Sequence, residues 1–287
     1  MRRRALRAVA LSAALAAAAP APAAEYLGSH AWRPAWHAAG GFSALWVGPD
    51  GRDFAALSDR GTWVEGRLER GPSGAVSDVA VTARGPLLHS TGRRLRAGET
   101  DAEGLARIGD AWFVSFEGQH RVMRHADGLG AAPERMARPM GFRNLADNAG
   151  LEALAAAPDG SLYAIAEDMR GGVRDFPCWR WQGGRWEFAF WLRRDGRFLV
   201  TGADVFEGRL YVLERDFALL GFRSRVRSFD LQGGDERLEL ESRLGVHDNL
   251  EGLSVWRDAA GALRATMISD DNLRALQRTE FVDYRLD

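Results

Sequence analysis

The sequence contains no lysine, and all 38 of its basic residues are arginines. A Schiff-base mechanism or a lysine nucleophile is therefore excluded. Cys178 is the only cysteine, so the chain forms no internal disulfide and no zinc site built from several cysteines. Three common signatures are also missing: the Gly-x-Ser-x-Gly elbow, the Gly-x-x-x-x-Gly-Lys loop and the His-Glu-x-x-His helix.

The charge of the chain is nearly balanced. Its 38 basic and 39 acidic residues leave a formal net charge of −1, which does not favour a nucleic acid or an anionic membrane surface as a partner. Hydrophobic residues make up 46% of the 287 positions, which is enough for a sizeable core. We therefore expect a globular monomer that binds a small molecule and no nucleic acid.

The N-terminus has the features of an export signal. Residues 2–4 are arginines, residues 8–19 form an apolar run, and residues 21–23 (APA) resemble a small-residue cleavage site. The apolar run is shorter than the ~20 residues that cross a bilayer. We predict a signal peptide over residues 1–24 and a periplasmic or secreted protein. Its single domain spans residues 25–287, with no transmembrane segment once the signal is removed.

A pattern of two short strands recurs along the rest of the chain. In its clearest copy, NLEGL at 249–253 opens the first strand and SDDN at 269–272 ends the second. The corresponding first-strand positions are 43, 103, 152, 204 and 251, which are 60, 49, 52 and 47 residues apart. A period near ~50 residues with several strands in each repeat is typical of β-propeller blades.

We predict an all-β fold, a β-propeller with five four-stranded blades. The last repeat contains only three strand-like segments, whereas residues 26–36 supply an extra strand before the first repeat. Pairing the two closes the ring and leaves no open edge strand. A six-bladed propeller is the alternative, with the additional blade between residues 61 and 101.

Acidic residues recur at two positions of the repeat. The first-strand position is serine in the first repeat (Ser43) and acidic in the others: Glu103, Glu152, Asp204 and Glu251. The second position, where the next strand ends, is acidic in every repeat: Asp59, Glu117, Glu167, Glu214 and Asp270. A residue repeated in every blade forms a ring around the central channel. A hairpin places the start of one strand beside the end of its partner, so both sets are expected at one mouth.

Such a ring needs positive charge, because two carboxylates at ~6 Å repel by roughly 3 kcal/mol at an effective dielectric constant of about 20. Arginines next to the acids could supply part of it. A hard cation such as Ca²⁺ would also serve, since oxygen ligands alone suit it. Alternatively, the acid–glycine pairs simply cap loops and accept backbone hydrogen bonds within each blade.

The same motifs resemble the phytase-like family, described by the esterase-like activity of phytase. The resemblance covers nearly all of residues 25–287. The matching segments are 43–45 (SAL), 57–61 (LSDRG), 101–105 (DAEGL), 115–117 (SFE), 151–154 (LEAL), 213–216 (LERD), 249–253 (NLEGL), 269–272 (SDDN) and 277–279 (QRT). The resemblance implies hydrolysis of an ester or phosphoester by the repeated acids. The Arg-His-Gly motif of histidine acid phosphatases is absent, so any likeness to phytases concerns the propeller type.

The leading hypothesis is an exported, metal-dependent hydrolase of a small anionic or ester substrate. A divalent cation, Ca²⁺ in the first place, would be held by Glu103, Glu152, Glu251, Asp270 and Asp59. The candidates for proton transfer are Glu117, Glu214 and His120. The candidates for binding an anionic group of the substrate are Arg60, Arg215 and Arg278. The alternative is a non-enzymatic propeller of the cell envelope that binds a ligand or a partner protein, with its acids and arginines paired to one another.

Overall fold

The chain folds into twenty strands arranged as five antiparallel sheets of four strands each. A computed structural model describes residues 24–36, 39–146, 150–171, 174–219, 221–274 and 277–287. In chain order the strands are β1 (Glu25–Ala31), β2 (Phe42–Val47), β3 (Asp53–Ser58), β4 (Thr62–Arg70), β5 (Val76–Pro86), β6 (Ala102–Ile108), β7 (Ala111–Phe116), β8 (Arg121–His125), β9 (Glu134–Arg135), β10 (Ala153–Ala156), β11 (Leu162–Ile165), β12 (Phe176–Gln182), β13 (Arg185–Leu192), β14 (Leu199–Phe206), β15 (Arg209–Ala218), β16 (Gly221–Asp230), β17 (Arg237–Glu241), β18 (Asn249–Arg257), β19 (Leu263–Asp270) and β20 (Glu280–Arg285). The helical element found in these ranges is a short 3-10 turn, Met140–Asn144.

The five sheets are the blades of a propeller, as the sequence predicts. Blades 1 to 4 are β2–β5, β6–β9, β10–β13 and β14–β17, and blade 5 is β18, β19, β20 and β1. The alternative of six blades is wrong. The segment between residues 61 and 101 holds β4, β5 and a loop in which Leu88 and Arg94 form an isolated bridge.

The first strands of the blades form the hub. Each of β2, β6, β10, β14 and β18 contacts the first strands of the two neighbouring blades, which closes the ring. The apolar core is divided in the same way, with one buried cluster between each pair of adjacent blades. Burial of these faces is what stabilises the ring.

A β-bulge occurs near the start of four of the hub strands. The extra residue is Ser43 in β2, Glu103 in β6, Thr201 in β14 and Glu251 in β18. A glycine follows each of the two acidic bulge residues, Glu103 and Glu251, for a steric reason. A Cβ on Gly104 would lie 2.8 Å from the backbone nitrogen of Leu154, and one on Gly252 would lie 2.7 Å from that of Leu45. The glycine after the bulge residue therefore lies where adjacent blades approach each other closely.

The N-terminal strand closes the ring, as predicted. β1 pairs antiparallel with β20, from Glu25 opposite Arg285 to Ala31 opposite Glu280. This pairing covers the outer edge of β20 and makes blade 5 four-stranded.

A buried ion pair joins blade 5 to blade 1 beside this closure. The Arg70 guanidinium donates to Asp283 at 2.8 Å and to Thr266 Oγ1 at 3.1 Å, and it lies over the Trp256 ring at 4.4 Å. Asp283 is 1% exposed and also accepts a hydrogen bond from the backbone of Val76. Removing either charge leaves the other unpaired in the interior.

We expect Asp283→Ala to lower the free energy of unfolding by about 3–5 kcal/mol, because it leaves the buried guanidinium of Arg70 without its carboxylate partner. The matched control is Asp53→Ala, which removes an ion pair with Arg67 whose side chains are 55% and 47% exposed. That change should cost only about 0–1 kcal/mol. Urea unfolding followed by far-ultraviolet circular dichroism measures both. Equal losses in the two variants would contradict the closing role of Asp283.

Candidate functional site

A cavity of about 160 Å³ lies at the hub, where hub strands begin and their neighbours end. Its lining consists of seven carboxylates and one guanidinium. The residues are Asp59, Glu103, Glu117, Glu152, Glu167, Arg215, Glu251 and Asp270. We call it the acidic cavity.

The pairing of the strands explains this convergence. Glu103 and Glu251 are bulge residues of β6 and β18, and Glu152 directly precedes β10. The other carboxylates end the second strand of a blade or follow it, as Asp270 does opposite Asn249. Antiparallel pairing brings these ends together. All five metal-ligand candidates, Asp59, Glu103, Glu152, Glu251 and Asp270, lie in the lining.

Asp204 and Glu214, which the comparison of the five repeats assigned to the ring, lie elsewhere, both in blade 4. The bulge residue of β14 is Thr201, not Asp204, and its hydroxyl donates to the Leu250 carbonyl at 3.1 Å. In β15, Arg215 lines the acidic cavity, whereas Glu214 faces the other side of the sheet. Successive residues of a strand point to opposite faces, so a shift of one residue replaces an acid by an arginine.

Glu214 is instead the centre of a buried ion network. It is 0% exposed, and it accepts hydrogen bonds from Arg225 Nε at 2.7 Å and from Arg227 Nε at 2.7 Å and Nη2 at 2.5 Å. Both arginines are nearly as buried. This arrangement holds β15 to β16 and gives Glu214 no path to the acidic cavity.

Asp204 lies towards the opposite end of the hub. Its carboxylate accepts hydrogen bonds from the backbone nitrogens of Val205 and Val255, both at 2.8 Å, and burial raises its pKa to about 7. It lines a second cavity of about 210 Å³ together with Trp46 and Trp256. A constriction of about 10 Å³ lies between, lined by residues of both cavities.

Of the three predicted substrate-binding arginines, only Arg215 lies in the acidic cavity. Its guanidinium pairs with Glu251 at 2.7 Å and contacts Asn249. Arg60 is exposed beside Asp59, whose pKa it lowers against the larger effect of burial. Arg278 is also exposed and donates to Glu280 at 3.0 Å.

His120 is buried behind the acidic cavity, close to Glu117. Both approach Gly150, where an added Cβ would lie 2.2 Å from His120 Nδ1 and 3.1 Å from Glu117 Cγ. The backbone nitrogen of Gly150 donates to Glu117 Oε1 at 3.0 Å. Only glycine at position 150 therefore allows this packing of the two side chains.

The electrostatics of the acidic cavity favour protonated carboxyls. Burial raises the pKa of Glu103 and Glu152 well above its usual range, and neighbouring carboxylates add to the effect. Burial likewise raises the pKa of Glu167 to about 7 and that of Asp270 to about 8. Burial opposes the charge of Arg215, but the surrounding carboxylates, Glu251 foremost, raise its pKa. The cavity can therefore take up protons or a cation near neutral pH.

Sequence reasoning missed one acid of this region, Asp101. Ligand oxygens of Asp101, Glu103 and Glu117 all lie within 4.8 Å of one another, a grouping that could hold a metal ion. The signal was the position of Asp101 two residues before Glu103, at the start of β6.

We expect the protein to lose stability as the pH rises from about 4 to about 8 in metal-free buffer. Asp270 binds its proton up to about pH 8 when folded but only to about pH 4 when unfolded. The folded state therefore holds more protons in this window, and its free energy of unfolding falls as they are released.

Urea unfolding at pH 5 and pH 8.5 in EDTA measures this fall for the wild type, for Asp270→Asn and for Asp110→Asn, whose side chain is fully exposed. Asp270→Asn should reduce the fall by up to about 4 kcal/mol, because the folded state no longer holds this proton over about three pH units. Asp110→Asn should leave it unchanged. The same pH dependence in all three proteins would show that Asp270 is not protonated when folded.

The fold has counterparts among solved structures of glycoside hydrolases. The catalytic domain of the Coprinopsis cinerea GH62 α-L-arabinofuranosidase superposes with a TM-score of 0.55 at 11% identity, over 92% of this chain and 97% of that one. An endo-arabinase from Bacteroides thetaiotaomicron gives 0.50 at 9% identity, over 85% and 92%. At such identities the likeness concerns the fold alone.

A bifunctional GH43-CE protein from Bacteroides eggerthii is also similar, with a TM-score of 0.47 and 11% identity. The match covers 85% of this chain but only 32% of that protein's length. No curated protein matches the sequence.

Sequence comparison assigns the family. The model of the phytase-like family, described as "esterase-like activity of phytase", matches residues 37–273. These limits include every strand of the hub and all eight residues that line the acidic cavity. The chain therefore belongs to the phytase-like family.

Proposed function

We propose that the protein hydrolyses an ester or phosphoester bond in the acidic cavity with the help of a divalent cation, Ca²⁺ in the first place. The observation that carries the proposal is the convergence of seven carboxylates on one cavity with a single arginine among them. Membership of a family described by esterase-like activity points to the same class of reaction.

The donor set suits a hard cation. All seven acidic side chains of the lining offer oxygen ligands, and neither histidine nor cysteine is among them. Ca²⁺ takes six to eight oxygen ligands in flexible geometry, which a ring of carboxylates from four blades can supply. Glu103, Glu152, Glu251, Asp270 and Asp59 would hold it. Such a charge would also remove the mutual repulsion that now favours protonated carboxyls.

Held by these carboxylates, a divalent cation would supply Lewis-acid chemistry, polarising the scissile ester and making a water molecule more acidic. In this proposal Glu117 would accept the proton. It lies in the lining and contacts Glu152, and burial raises its pKa from the ordinary value of a glutamate. Glu167, with a pKa of about 7, is a second acceptor in the same lining. A base with such a pKa is effective near neutral pH.

Arg215 would bind an anionic oxygen of the substrate, since it is the guanidinium of the cavity lining. His120 would act indirectly, through Glu117, since both side chains pack against Gly150. Glu214 takes no part in the proposal because its carboxylate is occupied by Arg225 and Arg227.

We also propose that the protein is exported. The three arginines, the apolar run and the small residues before position 24 support this, and they lie outside the described residues. In the described part of the chain, no helix has the length and apolar character needed to cross a membrane. Cell fractionation followed by N-terminal sequencing of the mature protein tests the proposal.

The test of the hydrolase proposal is Glu251→Gln. We expect it to weaken Ca²⁺ binding at least about tenfold in calorimetry. It should also lower kcat/KM by about 100-fold on whichever aryl ester, phosphoester or lactone the wild type cleaves. EDTA should inactivate the wild type. The control is Glu187→Gln, which changes an acid that is 63% exposed on the outer strand of blade 3.

The proposal fails if Glu251→Gln retains full turnover, or if the wild type works equally well in EDTA. A non-enzymatic propeller is the second candidate, favoured by the ion pair between Arg215 and Glu251, which neutralises part of the cavity without a metal. The non-enzymatic alternative predicts no heat of Ca²⁺ binding in calorimetry and no turnover of any aryl ester, phosphoester or lactone tested.

A further inference from the structure

A second charged cavity, of about 220 Å³, lies on blade 2 and has the opposite character. Two segments enclose it: strands β8 and β9 with the residues after them, and the loop that connects blade 1 to blade 2. Its lining consists of His89, Glu99, Gln119, Arg121, Met123, Arg135, Met136 and Arg138. We call it the arginine cavity.

Arg121 is the most buried of its three guanidiniums, and backbone groups hold it in place. It donates to the carbonyl of Glu99 at 2.6 Å and to that of Gln119 at 3.2 Å, and it stacks on the Phe116 ring at 3.9 Å. Burial lowers its pKa to about 10, with Arg135 and Arg138 adding to the effect. Its partners fix its position but do not neutralise its charge.

Arg135 is likewise held by neutral groups. Its Nε donates to Ser90 Oγ at 3.0 Å, and its Nη2 lies 3.0 Å from His89 Nε2. Desolvation and the guanidiniums of Arg93 and Arg135 lower the pKa of His89, which disfavours a further positive charge beside Arg135.

Glu99 is the one carboxylate of the lining, and it already pairs with an arginine outside the lining, Arg93. Both oxygens of Glu99 accept hydrogen bonds from Arg93, at 2.7 and 2.8 Å, and one of them also accepts the backbone N–H of Arg96. Glu99 therefore compensates the charge of Arg93. Among the described residues, none of Arg121, Arg135 and Arg138 forms an ion pair with a carboxylate.

The molecule has another arginine-lined cavity, and its chemistry differs. It is formed by Arg174, Arg194, Gly196 and Arg197. There, Arg197 already has a carboxylate partner, Asp216, at 3.7 Å, and it is 77% exposed. That cavity is lined by an exposed arginine that already has a carboxylate partner. The arginine cavity of blade 2 instead contains a guanidinium that is held by two backbone carbonyls.

We propose that the arginine cavity binds a divalent oxyanion, a phosphate or sulfate group, on Arg121, Arg135 and Arg138. Guanidinium groups bind such anions by paired, charge-assisted hydrogen bonds, and three of them match a dianion better than a monocarboxylate. Gln119 adds an amide donor to the lining. The site does not depend on hydrolysis in the acidic cavity.

Calorimetry on the full chain tests the proposal, with inorganic phosphate, sulfate, acetate and methylphosphonate as probes. EDTA is present throughout, so that no cation in the acidic cavity can recruit phosphate. The double variant Arg135→Gln/Arg138→Gln removes two exposed guanidiniums and spares the partly buried Arg121. Arg197→Gln, in the other arginine-lined cavity, is the matched control. Circular dichroism verifies the fold of each variant.

We expect the wild type and Arg197→Gln to bind phosphate with the same Kd and more tightly than acetate. The double variant should bind phosphate about tenfold more weakly or worse. Tighter binding of methylphosphonate than of phosphate would identify a phosphoryl group on a larger molecule as the ligand, and the reverse order would identify the free ion. Undiminished phosphate binding by the double variant would overturn the proposal, as would equal binding of acetate and phosphate by the wild type.

Discussion

The mutual repulsion of the carboxylates in the acidic cavity is the constraint that the rest of the structure has to offset. At an effective dielectric constant of about 20, each pair at ~6 Å costs roughly 3 kcal/mol when both are charged. Blades 1, 2, 3 and 5 all contribute acids, so the repulsion tends to push the blades apart. The ring must therefore be closed by interactions elsewhere. The apolar clusters between blades, the pairing of β1 with β20 and the buried pair of Arg70 and Asp283 provide them.

Blade 4 breaks the symmetry of this arrangement. Where other blades present an acid, it presents Thr201 and Arg215, and it buries its own glutamate, Glu214, between two arginines. Blade 1 contributes only one acid, Asp59, to the cavity. Its bulge residue is Ser43, whose hydroxyl donates to the Ala102 carbonyl of blade 2. The acids of the cavity thus come mainly from blades 2, 3 and 5, and blades 3 and 5 flank the blade that carries Arg215. Such a polar cavity can orient a substrate, whereas a uniform ring of acids could only attract a cation.

The repeat period was sufficient to predict the number of blades and the closure, because all five blades are four-stranded antiparallel sheets of similar length. It was not sufficient within blade 4. The alignment placed Asp204 at the bulge, but the bulge lies at Thr201, where no acid marks it. It also assigned the ring position to Glu214, with Arg215 predicted only as a substrate-binding residue, because alternation between the two faces of a strand cannot be judged until the register is known. Arg278 lies outside the acidic cavity for another reason. Arg278 is next to the repeat in sequence, but its own partner, Glu280, holds it at the surface.

The two charged cavities lie on either side of one short segment, residues 117–121, and this links the two proposals. Glu117 lines the acidic cavity, whereas Gln119 and Arg121 line the arginine cavity. Asp101 acts on both. Burial raises the pKa of Glu103 and Glu117, and Asp101 adds to that effect; burial lowers the pKa of Arg121, and Asp101 opposes it. A cation in the acidic cavity would reduce the negative field that an anion meets on blade 2. By linkage, an anion held by the arginines would strengthen cation binding by the same factor. If both proposed sites are real, the nearly neutral chain separates its charges into two neighbouring sites of opposite sign, and occupation of either would favour occupation of the other.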